Sequence, residues 1–180
     1  MTKQELRIVD FIWALFEDVD HFLREADKNQ NDLMSQQRHL RVSILCAWGA
    51  FEGWINKTCS DFATTDSSLA PCELGFLLER RVRLEKGEFY VSNSDKYEST
   101  EAKLEFLLRR FGQTKLNKST VQWERYQAAK HMRDSIVHPK NNRPMKLEVA
   151  DVKQAVKALK DYINLMSNKI YKRSPLNTHA

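Results

Sequence analysis

The chain has 180 residues, of which 42% are hydrophobic and 29% charged, a balance typical of a globular protein and not of a disordered chain. Five glycines and four prolines provide few helix breakers, so long helices are favoured. The formal net charge of +5 is as compatible with nucleic-acid binding as with an ordinary basic surface.

The cellular setting is indicated by what the chain lacks. No apolar run approaches the roughly 20 residues that span a bilayer, and the acids among the first twenty residues are not typical of a signal peptide. The cysteines are odd in number, and their spacing fits no zinc motif: Cys46, Cys59 and Cys72. We therefore expect a cytoplasmic protein that binds no membrane.

The first sixty residues predict two helices. A helix over 3–27 has an apolar stripe at alternating spacings of three and four residues: Val9, Ile12, Phe16, Val19, Leu23 and Ala26. Residues 29–32 are typical of a turn. A second helix over 33–59 is the most apolar segment, and we place Leu45 on its buried face. Gly49 and Gly53 within it predict a close contact with another helix.

Residues 61–117 have a less regular spacing of apolar residues than the first sixty residues, so their secondary structure is harder to predict. We expect a loop over 62–71, a short helix over 72–83, and an exposed loop or a small hairpin over 87–97. Ser99 or Thr100 is expected to cap a further helix that ends before Gly112.

Two more helices are expected in the last third. Ser119 and Gln122 form a capping-box pattern, and the helix that follows should end near Val137 or His138 because Pro139 disfavours helix before it. A turn over 139–144 leads to a last helix over 148–171, and the tail from 172 should be flexible. That last helix has a heptad stripe: Val149, Val152, Val156, Leu159, Ile163, Met166 and Ile170.

These elements predict an all-α fold in one domain over 1–180. The expected architecture is an up-and-down bundle of four long helices with one or two short helices inserted, and 61–117 is a variable insertion.

Common catalytic signatures are missing from the sequence. It has no glycine-rich phosphate loop, no GxSxG and no HExxH, and His131 and His138 are seven residues apart. We therefore expect no cofactor and no metal site.

The segment 133–138, Arg-Asp-Ser-Ile-Val-His, is the candidate site. A histidine can take a proton from an RNA 2′-hydroxyl, and an arginine can bind the scissile phosphate. Asp134 is four residues before His138 and is expected to orient its imidazole, and Ser135 adds a hydroxyl. On spacing alone the plainer interpretation is favoured, in which Arg133 and Asp134 are surface ion-pair partners and His138 interacts with the helix dipole.

The stretch RDSIVHP resembles the Arg-x(4–6)-His motif of HEPN domains, with Arg133, Asp134 and His138 at the three matching positions. The segment LRVSILCAWGAFEGWIN is similar to the second helix of prokaryotic HEPN families related to the RiboL-PSP type. The resemblance implies a metal-independent endoribonuclease and a homodimer with a cleft shared by two Arg-His motifs. It also implies a toxin or anti-phage defence effector, with an antitoxin or defence partner as a possible binding protein. Other members are inactive and serve as binding modules.

Several further residues are candidates for binding or supporting RNA. Glu52 and Asn56 either line the same cleft or form an ordinary polar edge. Residues close to the motif are candidates for contacting the RNA backbone: Lys130, His131, Lys140 and Arg143. Other basic pairs, Arg80 with Arg81 and Arg109 with Arg110, are more typical of solvated faces. Trp123 and Tyr126 could stack bases, but their helical spacing favours the core.

Overall fold

The computed structural model describes residues 8–139 and 146–172 and is 70% helix, with six α-helices and a small two-stranded sheet. The elements in chain order are α1 (Ile8–Lys28), α2 (Leu33–Thr65), α3 (Pro71–Leu77), β1 (Arg80–Glu85), β2 (Glu88–Asp95), α4 (Thr100–Arg110), α5 (Val121–Val137) and α6 (Val149–Met166), with a π-helical turn (Ser167–Tyr171) after α6. The fold is thus mostly helical, as expected. None of the helices in the described residues is long and apolar enough to cross a bilayer.

The chain forms two compact units. The first unit consists of the described residues up to Gly53 and from Asn117 onward, and it contains α1, α5, α6 and the first part of α2. The second unit is 54–116, which contains the end of α2, α3, the hairpin and α4. The prediction of a single domain remains a prediction, but the second unit nearly coincides with the insertion expected at 61–117.

The expected stripe on α1 is buried from Ile12 to Ala26. The turn before α2 forms as predicted, and Asp32 caps α2 because its carboxylate accepts hydrogen bonds from the backbone amides of Met34 and Ser35, both at 3.1 Å. The predicted start of the first helix, at 3–7, lies outside the described residues.

Helix α2 is six residues longer than predicted, so the expected loop over 62–71 is wrong for 62–65. An ion pair of 2.6 Å between Lys57 and Asp61 joins successive turns across the predicted end at residue 59. The close helix contact predicted from the glycines exists at Gly53, where an added Cβ would lie 3.3 Å from Ile12 Cγ1. Leu45 is exposed, which corrects its predicted place on the buried face.

The first unit has an aromatic core. Tyr126 of α5 packs against Trp48 and Phe51 of α2, with ring centroids 5.8 and 5.6 Å apart, and against Tyr162 of α6 at 5.5 Å. Trp123 stacks on Tyr126 at 4.9 Å. Because Trp123 and Tyr126 are buried, the core interpretation of these two residues is confirmed.

The N-cap of helix α5 lies one residue later than the capping-box pattern predicts. Thr120, not Ser119, is the cap, and its hydroxyl accepts a hydrogen bond of 3.1 Å from the Trp123 amide. The helix ends at Val137 with His138 as its C-cap, so the break predicted from Pro139 is confirmed.

Helix α6 packs against α5 and α1 through its heptad stripe. The central stripe residues are buried, whereas Val149 and Ile170 at the two ends are half-buried. The chain just before α6 is fixed to α2 by the buried Gln37, whose amide donates to the Leu147 carbonyl at 2.7 Å and accepts from the Leu147 amide at 2.8 Å.

The second unit corrects the short helix predicted over 72–83. Helix α3 ends at Leu77, and 80–83 belong to β1, which pairs antiparallel with β2. Glu79 separates the two elements with a φ of +54°, a left-handed conformation that ends the helix. A small hairpin is present, as one of the two alternatives predicted, but it spans 80–95, and the predicted range 87–97 contains only its second strand. Ser99 caps α4 as one of the two residues predicted to do so.

Candidate functional site

Arg133 is held by three neighbours at the last turns of α5. Its Nη2 donates to Glu52 Oε1 of α2 at 3.2 Å, and its Nη1 pairs with Asp134 Oδ1 at 2.7 Å. The guanidinium carbon lies 4.8 Å from the centre of the Trp48 ring, a cation–π distance. Trp48 and Glu52 are four residues apart on α2, so one helix face provides both contacts.

The guanidinium of Arg133 retains donors for a ligand. An arginine carries five N–H groups, and the contacts with Glu52 and Asp134 occupy one on each terminal nitrogen. The Nε–H is buried without a hydrogen-bond partner among the described residues. One N–H on each terminal nitrogen is therefore not engaged within the described chain, and two such groups are what a phosphate oxygen pair requires.

Asp134 does not have the role expected from its spacing. Its carboxylate pairs with the adjacent Arg133 and not with the imidazole of His138. The link to His138 is made by the backbone, because the His138 amide donates to the Asp134 carbonyl at 2.8 Å. The expectation that Asp134 orients the imidazole is thus corrected: Asp134 helps to anchor Arg133.

His138 is the C-cap that follows Val137, the last helical residue of α5, and it is exposed. Its φ of −125° and ψ of 69° are not helical, so the backbone leaves the helix at this residue. Among the residues that the structure describes, none forms a hydrogen bond or an ion pair with its imidazole. The ring is accordingly accessible for a proton transfer with a ligand.

The remaining candidates near the motif differ in their exposure, and two of them are not described by the structure. Lys130 and Ser135 are half-buried on α5, and His131 is exposed. Lys140 and Arg143 lie outside the described residues, so their role as RNA contacts remains a prediction.

Glu52 and Asn56 have different partners although they are one turn apart. Glu52 binds Arg133, whereas Asn56 accepts a hydrogen bond of 2.8 Å from the ammonium of Lys103 in the second unit. Glu52 therefore belongs to the candidate site, and Asn56 serves the packing of the second unit. Of the other basic pairs, Arg81 and Arg109 are exposed, whereas Arg80 and Arg110 are half-buried and form ion pairs, Arg110 with Glu73 at 3.0 Å.

The positive charge of the chain is concentrated around the motif in sequence. Residues 117–180 contain 13 Lys or Arg and 5 Asp or Glu, while 54–116 contain 10 of each and 1–53 contain 6 and 9. The excess of eight positive charges in the last segment thus exceeds the net charge of the whole chain. Such a segment attracts polyanions.

Trp48 belongs to the candidate site through its contact with Arg133, and the sequence alone did not predict this. Its place on the buried face of α2 was predicted, but its contact with a charged side chain was not. The signal was present in the spacing of Trp48 and Glu52. It becomes meaningful only when Arg133 is known to pack on that face.

Comparison with known proteins adds no relative. No family model, curated protein or solved structure matches this chain. A proposal for its function therefore depends on the geometry of Arg133 and His138 and on the resemblance of their short motif.

Proposed function

We propose that this protein is a metal-independent endoribonuclease of the HEPN type, acting as a homodimer in the cytoplasm as a toxin or anti-phage defence effector. The observation that carries the proposal is the anchoring of Arg133 by Glu52, Asp134 and Trp48, one turn before an exposed histidine at a helix end. An anchored guanidinium and an accessible imidazole are the two groups that cleavage by a 2′-hydroxyl requires. The four-helix up-and-down bundle of such domains is part of the proposal.

The proposed reaction uses RNA as its own nucleophile. His138 takes the proton of a 2′-hydroxyl as its oxygen attacks the neighbouring phosphorus, and the bond from phosphorus to the 5′-oxygen breaks. The leaving 5′-oxygen receives a proton from the second His138 of the homodimer. The two N–H groups of Arg133 that remain stabilise the charge on the phosphate oxygens. The products are a 2′,3′-cyclic phosphate and a 5′-hydroxyl.

A second candidate function is a catalytically inactive helical dimer that binds nucleic acid or a partner protein such as an antitoxin. The observation in its favour is that two carboxylates, Glu52 and Asp134, already neutralise Arg133. A guanidinium that is paired with two carboxylates can have a purely structural role. This candidate predicts binding without cleavage.

Expression in bacteria tests the proposed function. The wild-type protein should arrest growth and degrade cellular RNA, and Arg133→Ala should abolish both effects because the phosphate loses its bound cation. Arg125→Ala is the matched control, since Arg125 is exposed on the same helix. Growth arrest by Arg133→Ala equal to that of the wild type would contradict the catalytic role of Arg133. Intact RNA with the wild type would favour the binding module.

Glu52→Gln should slow RNA cleavage about tenfold with little change in stability. The variant loses the charged acceptor that holds Arg133, and a misplaced guanidinium stabilises the transition state less well. The expected change is in kcat and not in KM, measured with a fluorescent RNA. The unfolding free energy should change by less than about 1 kcal/mol, because Glu52 is one-third exposed. Glu17→Gln, on the exposed face of α1, is the control, and a kcat of Glu52→Gln equal to that of the wild type would exclude a positioning role.

A further inference from the structure

A groove of about 470 Å³ lies between α3 and the base of the hairpin in the second unit. Its volume is within the range of pockets that hold small molecules. The lining residues come from α3, from the start of β1 and from the position after β2: Cys72, Phe76, Arg80, Arg81, Val82 and Lys96.

The groove coincides with an irregularity in the sheet. Arg80 is paired with Asp95 and Val82 with Val91, so Arg81 alone lies opposite the three residues 92–94. Such bulges change the direction of side chains and are common beside binding sites. Helix α3 packs tightly against β1 at Gly75. A Cβ added to this glycine would lie 2.5 Å from Val82 Cγ2.

The charged lining of the groove is entirely positive, although 54–116 is neutral overall. Arg80 is paired with Asp95 at 2.5 Å and Lys96 with Glu98 at 2.7 Å. The side chain of Arg81 is exposed and forms no hydrogen bond or ion pair with any residue of the described chain. The Arg80–Asp95 pair is exposed and contributes little free energy, so an incoming phosphate can compete with the Asp95 carboxylate. The Lys96 side chain is 57% exposed, and its ammonium has three N–H donors, so it can bind a phosphate while it stays paired with Glu98.

The groove also has an apolar wall. Val82 lines it, and so does Phe76, whose ring is supported by Phe106 with centroids 4.9 Å apart. Inorganic phosphate would contact the cations alone and leave this wall uncovered. A ligand with a flat aromatic body and a phosphate would cover both parts.

We propose that this groove binds a nucleotide, with its base against Phe76 and its phosphate on Arg81 and Lys96. The ligand is either a free mononucleotide or the end of an RNA strand, since both present the same chemistry. The site is independent of Arg133 and His138, so it does not require the ribonuclease function.

Alkylation of Cys72 reports occupancy, because this thiol is exposed and lines the groove. Iodoacetamide labelling, followed for each cysteine by mass spectrometry, should slow about tenfold at Cys72 when AMP or a short 2′-O-methyl oligonucleotide is present at ten times its Kd. Labelling of Cys46, a half-buried thiol of the first unit, should not change. The modified oligonucleotide has no 2′-hydroxyl, so cleavage does not affect the result.

Arg81→Ala should raise the concentration needed for protection about tenfold, as expected for a lost charged hydrogen bond. Arg83→Ala is the matched control, because Arg83 is on the same strand, donates to Ser94 at 3.3 Å and does not line the groove. Protection by AMP supports a free nucleotide, and protection by the oligonucleotide alone supports a strand end. Equal protection by inorganic phosphate, protection by a poly-glutamate peptide instead of nucleotides, or an unchanged rate with all of them would overturn the proposal.

Discussion

His138→Ala should reduce the rate of RNA cleavage by about a hundredfold to ten-thousandfold, the contribution typical of one general acid–base group. The imidazole is exposed at the end of α5 and has no partner among the described residues, so its removal leaves no unsatisfied contact in the fold. The variant should therefore keep the stability of the wild type. The measurement is the initial rate of cleavage of a fluorescent RNA, with circular dichroism as a check of folding.

The loss in His138→Ala must be specific to that histidine. His21→Ala is the matched control, because His21 is an exposed histidine on α1, away from the motif in sequence. It should cleave RNA at the wild-type rate. A His138→Ala rate within a factor of about two of the wild type, too small for a general acid–base group, would remove His138 from the mechanism.

Lys103→Met should lower the unfolding free energy by about 2 kcal/mol, the cost typical of losing hydrogen bonds that involve charged groups. Lys103 is 5% exposed, and its ammonium contacts Glu79 Oε1 at 2.9 Å and Asn56 Oδ1 at 2.8 Å. Without the ammonium, both oxygens lose a donor. Urea unfolding of the two proteins measures the difference.

Acidification should act on the same ion pair. Burial alone would raise the pKa of Glu79, but the hydrogen bonds from the Glu98 amide and the Lys103 ammonium outweigh burial and lower the pKa from 4.5. The stabilisation from this carboxylate is therefore present above pH 4.5 and is lost as the pH falls through the lowered pKa. In Lys103→Met this acid-induced loss should be smaller.

Two variants separate the ion pair from a general effect of charge removal. Lys115→Met removes an exposed lysine of the same unit and should change stability by less than about 0.5 kcal/mol. The double variant Lys103→Met with Glu79→Gln should recover part of the loss, since no carboxylate is then left without its cation. A loss below about 1 kcal/mol in Lys103→Met would show that the pair contributes no more stability than an exposed ion pair does.

The parts of the fold that depend on local sequence were predictable. The end of α5 follows from Pro139, and the turn before α2 follows from residues 29–32. The hairpin was less clear because apolar residues over 72–83 also fit a helix. The missed signal was the pair Lys86 and Gly87, which both have positive φ angles of 52° and 87° and form the two-residue turn between β1 and β2.

The parts of the site that depend on long-range packing were not predictable. Arg133 and Glu52 are 81 residues apart in sequence, and no local pattern indicates that α2 presents Trp48 and Glu52 to α5. For the same reason Asp134 was assigned to His138. The spacing of four residues allowed that contact, but the adjacent guanidinium of Arg133 is a stronger partner for a carboxylate than an imidazole.

The chemical identity of the RNA ends after cleavage tests the proposed mechanism most directly. Purified protein, incubated with RNA in the presence of EDTA, should leave a 2′,3′-cyclic phosphate on one product and a 5′-hydroxyl on the other, because the 2′-hydroxyl is the nucleophile and His138 and Arg133 supply the remaining chemistry. An RNA with a 2′-O-methyl group at the cleaved position should remain intact. A 3′-hydroxyl with a 5′-phosphate, or cleavage of the 2′-O-methyl RNA, would show that water and not the 2′-hydroxyl attacks, and would contradict the account.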